Sequence, residues 1–378
     1  MGQDIYQENG MMRTLKIIAV FLLLYTFLTS ISLMGHAFKG FGSGFVETLI
    51  KTTSNPFIGF FVGLLATSII QSSGTTTSMI VAFVAADVLT VRSAIPIIMG
   101  ANIGTTVTNT LVAIGHFTRR EEFKRALNCS TMHDFFNIMT AAILLPLELS
   151  THYLERTAGF LARHFCEFSG MSVESPLNVI IKPAIRAIEG FFIVFMGLPQ
   201  KPASIFMLLT ALAILFFSLF FGIKLMHTLV IKRTEVVFNN ILGKNAVLVM
   251  FMGVLFTALV HSSSVTTSLL VPIVASGILT VENAFPVTLG ANLGTTFTAI
   301  LASLAGNMAA VTIAFAHLLF NMTGIILIYP IKAIRRIPLR MAAKMAEFAY
   351  RNPLYAITYV FIVFFVIPTL LILISRAF

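Results

Sequence analysis

The stretch QSSGTTTSMIVAFVAADVLTVRSAIPIIMGANIGTTVT at 71–108 returns without a gap as HSSSVTTSLLVPIVASGILTVENAFPVTLGANLGTTFT at 261–298, an offset of 190 with about half of the positions identical. A duplicated unit constrains the fold more than any single motif, because the two copies have to bury their matching surfaces against each other. The same offset lays Leu15–Gly35 on Ile205–Leu225, and an offset six residues shorter lays HDFFN (133–137) on HLLFN (317–321). The repeated unit therefore covers about 140 residues, and two copies make up most of the chain.

The medium around these copies is lipid. Of the 378 residues, 57% are apolar and 11% charged, a balance typical of integral membrane proteins. Leu15–Leu33, Phe206–Ile223, Val311–Ile328 and Ile357–Ile374 carry few or no charges over a length that crosses hydrocarbon as helix. The first of them follows Arg13 and Lys16 like a signal peptide, but its apolar run is too long and no small-residue cleavage site follows, so it is expected to be a retained helix. The net charge of +10 sits in short loops, where the positive-inside rule accounts for it without nucleic acid. Cys129 and Cys166 lack metal-ligand spacing and define no disulfide framework.

Charge also gives orientation. The loop 42–56 holds one Lys and one Glu, whereas TRREEFKR (118–125) holds four basic residues. In the second copy the order is swapped: IKRTEVVFNNILGK (231–244) is basic and AGNMAA (305–310) uncharged. With basic loops in the cytoplasm the two copies run in opposite directions. The N-terminus is then inside, 151–200 outside, the basic run from Lys332 to Arg351 along the inner surface, and the C-terminus outside.

Within each copy the apolar arms are short. Phe57–Ile70 and Met79–Leu89 are only about 17–21 Å long as helices, so they are expected to form a re-entrant hairpin with the polar stretch between them at its tip. The next segment, Ala94–Gly115, contains GANIGTT (100–106), whose glycines and threonines suit a broken helix. Non-helical backbone at membrane depth survives only where it is enclosed by protein or lines a water-filled cavity. Each copy should thus offer a polar tip and a broken helix to one central site.

The chemistry of such a site is that of a small oxyanion and alkali cations. Ser72, Ser73, Thr75, Thr76 and Asn102, with Ser262, Ser263, Ser264, Thr266 and Asn292 in the second copy, can donate to an oxyanion, helped by helix N-termini. Oxygens of Gln71, Thr105, Thr106, Thr295, Thr296 and Thr298 suit a hard cation such as sodium. None of the four motif stretches contains Asp, Glu, Lys or Arg. An anion entering them has to bring its own neutralising cations, which favours cation-coupled transport.

The paired QSS…TS and GAN(I/L)GTT elements, followed by RREEFKRALNCSTMHDFFN in the first half and AHLLFNMTGIILIYPI in the second, resemble the type II sodium/phosphate cotransporter family over about residues 11–375. The resemblance implies phosphate between two facing serine-rich tips, lined by Gln71, Ser72, Ser73, Asn102, Ser262, Ser263 and Ser264. It also implies a sodium site drawing on Ser262, Thr295 and Thr298. Two departures stand out. The family tip reads Gln-Ser-Ser-Ser in both halves; here Gly74 lacks one hydroxyl and His261 replaces a glutamine that helps hold sodium. An imidazole can still accept through one nitrogen, but it titrates near neutral pH, so pH-sensitive transport is expected. Electrogenic relatives carry an Asp shortly before the segment matching EEFKRAL, where this chain reads HFTRR (116–120), leaving the charge moved per cycle open.

Other features have plainer readings. His133, Asn137, His317 and Asn321 of the HxxFN pairs are expected to tie helices together, Asp134 and Arg92 to cap or gate, and Gly59 and Gly63 to allow close helix packing. An intramembrane serine enzyme built on Ser73 or Ser263 is disfavoured because two near-equal clusters suit symmetric binding better than one-sided chemistry. A carrier of another oxyanion such as sulfate, a proton-coupled carrier and a passive anion channel remain as alternatives; acceptors such as the Gln71 side chain favour an anion that can itself donate, such as protonated phosphate.

The sequence thus predicts an all-α polytopic plasma-membrane protein of two inverted repeats, each with a re-entrant hairpin and a broken helix. Its parts are a tail (1–10), first repeat (11–150), external connection (151–200), second repeat (201–330), cytoplasmic amphipathic segment (331–352) and C-terminal transmembrane helix (353–378). Together with the resemblance it is expected to import phosphate with sodium, the latter held by His261, Ser262, Thr105, Thr106, Thr295 and Thr298, and to need no organic cofactor or transition metal. Its partners are phosphate, sodium and lipid, with the oligomeric state open.

Overall fold

The computed structural model describes residues 10–41, 55–169, 178–241 and 245–377, and every regular element among them is helical. Residues 42–54 of the weakly charged loop expected at 42–56, and most of the expected tail 1–10, lie outside the described residues. The first copy comprises α1 (Gly10–Lys39), α2 (Pro56–Ile70), α3 (Ser73–Ala85), α4 (Val91–Gly104), α5 (Val107–Ile114) and α6 (Arg120–Thr151). Two amphipathic helices follow, α7 (Tyr153–Ser169) and α8 (Asn178–Gly190). The second copy comprises α9 (Gln200–Ile241), α10 (Ala246–Val260), α11 (Ser263–Ala275), α12 (Val281–Ser303) and α13 (Met308–Ile328). Then come α14 (Lys332–Arg351), α15 (Leu354–Phe361), a π turn at Ile362–Val366, and α16 (Ile367–Ala377). Among the described residues six spans are long and apolar enough to cross a membrane, including all four expected ones together with Val91–Ile114 and Val281–Ser303.

The helix starts repeat at the offset of the sequence. Asn55 caps α2 by accepting from Phe57 N at 2.9 Å, and Asn245 caps α10 by accepting from Val247 N at 2.9 Å. Thr90 and Thr280 do the same for Ser93 N and Asn283 N at the starts of α4 and α12. α14 is amphipathic and turns a small-residue face, Ala342, Ala346 and Ala349, onto α6. Its basic face is left outward, as expected of a helix lying along a surface.

Two expectations need correction. The polar stretch does not all lie at the hairpin tip: the tip is only Gln71–Ser72, and Ser73 to Ser78 form the first turns of α3, so the second arm starts at Ser73 rather than Met79. Ser72 caps this helix and Thr76, Thr77 and Ser78 bond back to carbonyls four residues earlier, so the hydroxyls support helix instead of opposing it. The second copy also has no broken helix: α12 runs unbroken through GANLGTT. In the first copy the break at Thr105–Thr106 is shallow, with both residues still near right-handed helical values.

The glycines explain why. In α4, a Cβ on Gly100 would lie 2.8 Å from the carbonyl carbon of Phe60 in α2; in α12, one on Gly290 would lie 2.9 Å from that of Met250 in α10. Gly104 and Gly294 are equally crowded by Thr67 and Thr257, at 2.8 and 2.7 Å. These residues let α2 press onto α4 and α10 onto α12, and the packing holds the helix across the motif. Gly63 contributes the same approach from α2, as its spacing suggested.

Candidate functional site

The two tips have the same backbone. Gln71 and His261 both adopt the left-handed conformation, φ 58 and 56, and end the first arm of each hairpin. Ser72 (φ −147, ψ 105) and Ser262 (φ −152, ψ 108) are extended and cap the second arm, each Oγ accepting from the backbone N–H three residues on, at 3.2 and 3.3 Å. Ser73 and Ser263 are buried at the first helical position, where N–H groups and the positive end of the helix dipole point into the tip.

The tips are brought together. A Cβ on Gly74 would sit 3.5 Å from the His261 carbonyl oxygen and 3.5 Å from Thr298 Cγ2, so the start of α3 abuts the second tip. Reciprocally, Thr267 of α11 donates to Asn109 Oδ1 in α5 at 2.7 Å, with Ser268 at 3.3 Å. His261 Nδ1 lies 3.5 Å from Thr298 Oγ1, and both line a mostly apolar cavity of about 280 Å³ reaching Phe27 of α1 and Ser218 of α9.

The threonine hydroxyls are spent as donors on their own helices. Thr105 donates to Ala101 O at 3.4 Å, Thr106 to Ile103 O at 2.8 Å, and Thr295 to Ala291 O at 3.1 Å. A hydroxyl used this way still presents lone pairs, which suits a cation ligand better than an anion ligand. Gln71 is exposed, Ser72, His261, Ser262 and Ser264 are half-buried, and Asn102, Thr105, Thr106, Asn292, Thr295 and Thr298 are buried.

Asn102 and Asn292 join the HxxFN residues, which were expected to tie helices together, in one network that the sequence reading did not extend to the GAN asparagines. Asn292 Nδ2 donates to Asn137 Oδ1 at 2.7 Å and to Asn321 Oδ1 at 2.8 Å, which uses both of its amide hydrogens. Asn137 Nδ2 donates to Asn102 O at 2.9 Å, while Asn321 Nδ2 (3.3 Å) and His317 Nε2 (3.2 Å) reach Asn102 Oδ1. The HxxFN residues therefore tie α4, α6, α12 and α13 together. The available signal was that both copies place an Asn in GAN and another in HxxFN. Of the two residues expected to cap or gate, Arg92 forms an exposed pair with Glu155 at 3.2 Å, and Asp134 sits in the middle of α6, where it caps nothing.

A family model described as Na+/Pi-cotransporter matches residues 26–171 and 214–345. Sodium-dependent phosphate transport protein 2B of Homo sapiens is 32% identical over 447 aligned positions, which take in 93% of this chain and 64% of that protein; the Pongo abelii 2B protein gives the same figures. Sodium-dependent phosphate transport protein 2A of Rattus norvegicus is 31% identical over 436 positions, 97% of this chain and 68% of that protein. The chain thus spans less than two thirds of the length of the 2B relatives. No solved structure matches it. On the family model and these relatives, the chain belongs to the Na+/Pi-cotransporter family.

Proposed function

We propose that this protein is a secondary active transporter that carries inorganic phosphate into the cell together with sodium, by alternating access around a site between the two hairpin tips. The observation that carries the proposal is the meeting of two serine-capped helix N-termini, free of Asp, Glu, Lys and Arg, in the interior of a membrane bundle. Phosphate is held by Gln71, Ser72, Ser73, Ser262, Ser263 and Ser264, with Asn102 and Asn292 joining once their amides leave the network. Sodium ions take His261, Ser262, Thr105, Thr106, Thr295 and Thr298 and neutralise the anion in a pocket that offers no fixed cation of its own.

The same contact supports an inverted orientation of the repeats, in which hairpins that meet tip to tip enter the membrane from opposite sides. With α14 and the 118–125 loop inside, the N-terminus is cytoplasmic and the C-terminus external in the cell membrane. The first repeat then spans 11–150, the second 201–330, and α7 and α8 lie on the outer face. The family is one of transporters rather than enzymes. The test is accumulation of radiolabelled phosphate by proteoliposomes under an inward gradient of sodium or of potassium. Accumulation with sodium alone is expected; equal flux with either cation, or none, would refute the assignment.

A further inference from the structure

A cavity of about 380 Å³ lies between the basic helix α14 and the starts of α10 and α12. Arg335 and Arg336 line it from α14, Tyr329 from the end of α13, Asn245 from the cap of α10, and Glu282 and Asn283 from the first turn of α12. Arg335 is half-buried, its guanidinium carbon 4.8 Å from the Tyr329 ring centroid, a cation–π contact that holds the charge at the cavity wall. Among the described residues neither arginine forms an ion pair. Glu282 is the one acid in the lining and is exposed, so two cationic groups face one anionic group. The starts of α10 and α12 add the positive ends of two helix dipoles.

Two guanidinium groups beside two helix N-termini recognise a phosphate group. Two observations assign that phosphate to a lipid. The cavity volume falls in the range of about 300–1,000 Å³ that whole small-molecule ligands fill, more room than a bare anion needs, and Phe285 and Leu339 give part of it an apolar wall. Ile337, Met341 and Phe348 also form an exposed apolar stripe along α14, beside its basic face. The helix that carries the arginines therefore suits the boundary where headgroups meet hydrocarbon. We propose that this cavity binds the phosphomonoester headgroup of an anionic phospholipid, gripped by Arg335 and Arg336. A phosphomonoester brings three acceptor oxygens and a charge of about −1.5 to −2, which serves both guanidinium forks better than a diester does. Basic pockets between spans on the cytoplasmic side hold such headgroups in membrane proteins generally.

The headgroup bridges α14 and α10, the hairpin arm that ends at the second tip. It thereby gives the lipid composition of one leaflet a route to Ser262, Ser263 and Ser264. The choice of the inner leaflet rests on the orientation proposed above; the binding chemistry does not depend on transport.

Binding of a fluorescent phosphatidate to the purified full chain, in neutral detergent at about 0.15 M salt, tests this directly. Arg335→Gln combined with Arg336→Gln is expected to weaken the apparent affinity by about tenfold or more. Glu282→Gln removes the opposing charge and is expected to strengthen it by about twofold. Lys332→Gln combined with Arg340→Gln removes two exposed charges of the same helix that do not line the cavity, and is expected to change affinity by less than about twofold. Equal losses in the two double variants would overturn the site, because the charge of α14 alone would then hold the lipid. Displacement of the label by inorganic phosphate as readily as by unlabelled phosphatidate would overturn the lipid assignment, as would equal competition by phosphatidylcholine. Should the arginine double variant fail to fold, the exposed Arg336 decides: an unchanged isotherm for Arg336→Gln would overturn the site. Wild-type protein that binds phosphatidate yet accumulates no phosphate would refute the transport reading and leave this site standing.

Discussion

Replacing Gly100 by alanine should separate close helix packing from helix breaking as the role of the GAN glycine. The new Cβ would lie 2.8 Å from the Phe60 carbonyl carbon and 2.9 Å from Leu64 N, both backbone atoms of α2. Ordinary contact starts near 3.4 Å, so α2 and α4 would have to part by at least 0.6 Å along their whole interface. Overpacking costs about 1–3 kcal/mol, and the upper end applies where no side chain can rotate aside. At about 2.1 cal/mol/K of unfolding entropy per residue, a loss of ~3 kcal/mol over this length lowers the melting midpoint by about 4 °C. Gly290→Ala, where Met250 lies at 2.9 Å, should lose a similar amount. Gly159 in α7 has nothing within 4 Å, so Gly159→Ala should gain about 1 kcal/mol from helix propensity and melt slightly higher. Melting in detergent, followed by the tryptophan-free chain's tyrosine signal or by aggregation, reads all three. A Gly100→Ala protein that melts within about 1 °C of wild type would refute the packing role and return the glycine to flexibility.

Ser73→Ala and Ser263→Ala should each abolish sodium-driven phosphate uptake while leaving the melting midpoint within about 2 °C of wild type, because both hydroxyls serve one ligand from opposite sides; loss at one tip alone would favour one-sided chemistry. Apparent sodium affinity in uptake assays should hold at neutral pH and fall as pH drops below about 6, since a protonated imidazole at His261 repels the ion, and His261→Gln should flatten that dependence. Gly74→Ser fits, its Cβ in ordinary contact at 3.5 Å, so it should fold normally. Combined with His261→Gln it should give a non-additive change in sodium affinity, worth about 0.5–3 kcal/mol in a double-mutant cycle; strict additivity would separate the two positions.

Much of the architecture was legible because it depends on hydropathy and repetition. The apolar runs, the two short-armed hairpins and the small-residue face at Gly59 and Gly63 are one-dimensional patterns, and each is present in the structure. The continuity of α12 was not legible. A glycine pair reads the same whether it breaks a helix or admits a neighbour, and only the approach of Met250 and Val254 decides between them. The length of the tip was misjudged for a related reason: a run of hydroxyls looks like a loop, yet in apolar surroundings each can donate to its own helix.

The site was legible in composition and less so in allegiance. An asparagine can donate or accept, and whether Asn102 and Asn292 face a ligand or each other's neighbours depends on residues 137 and 321, which no local motif brings near. Asp134 was visible as a carboxylate in the middle of a long helix, but its partner Tyr359 lies 225 positions away and no local pattern points to it. The two departures from the family tip, Gly74 and His261, look independent in sequence because they belong to different copies. In space they share one contact: Gly74 leaves room against the His261 carbonyl and Thr298, the same threonine that the His261 ring approaches. A hydroxyl lost from one tip and an imidazole gained at the other therefore act on the same few ångströms of the pocket. The consequence is that the chain breaks its own internal symmetry at the point where the two copies meet, beside the proposed sodium ligands His261 and Thr298.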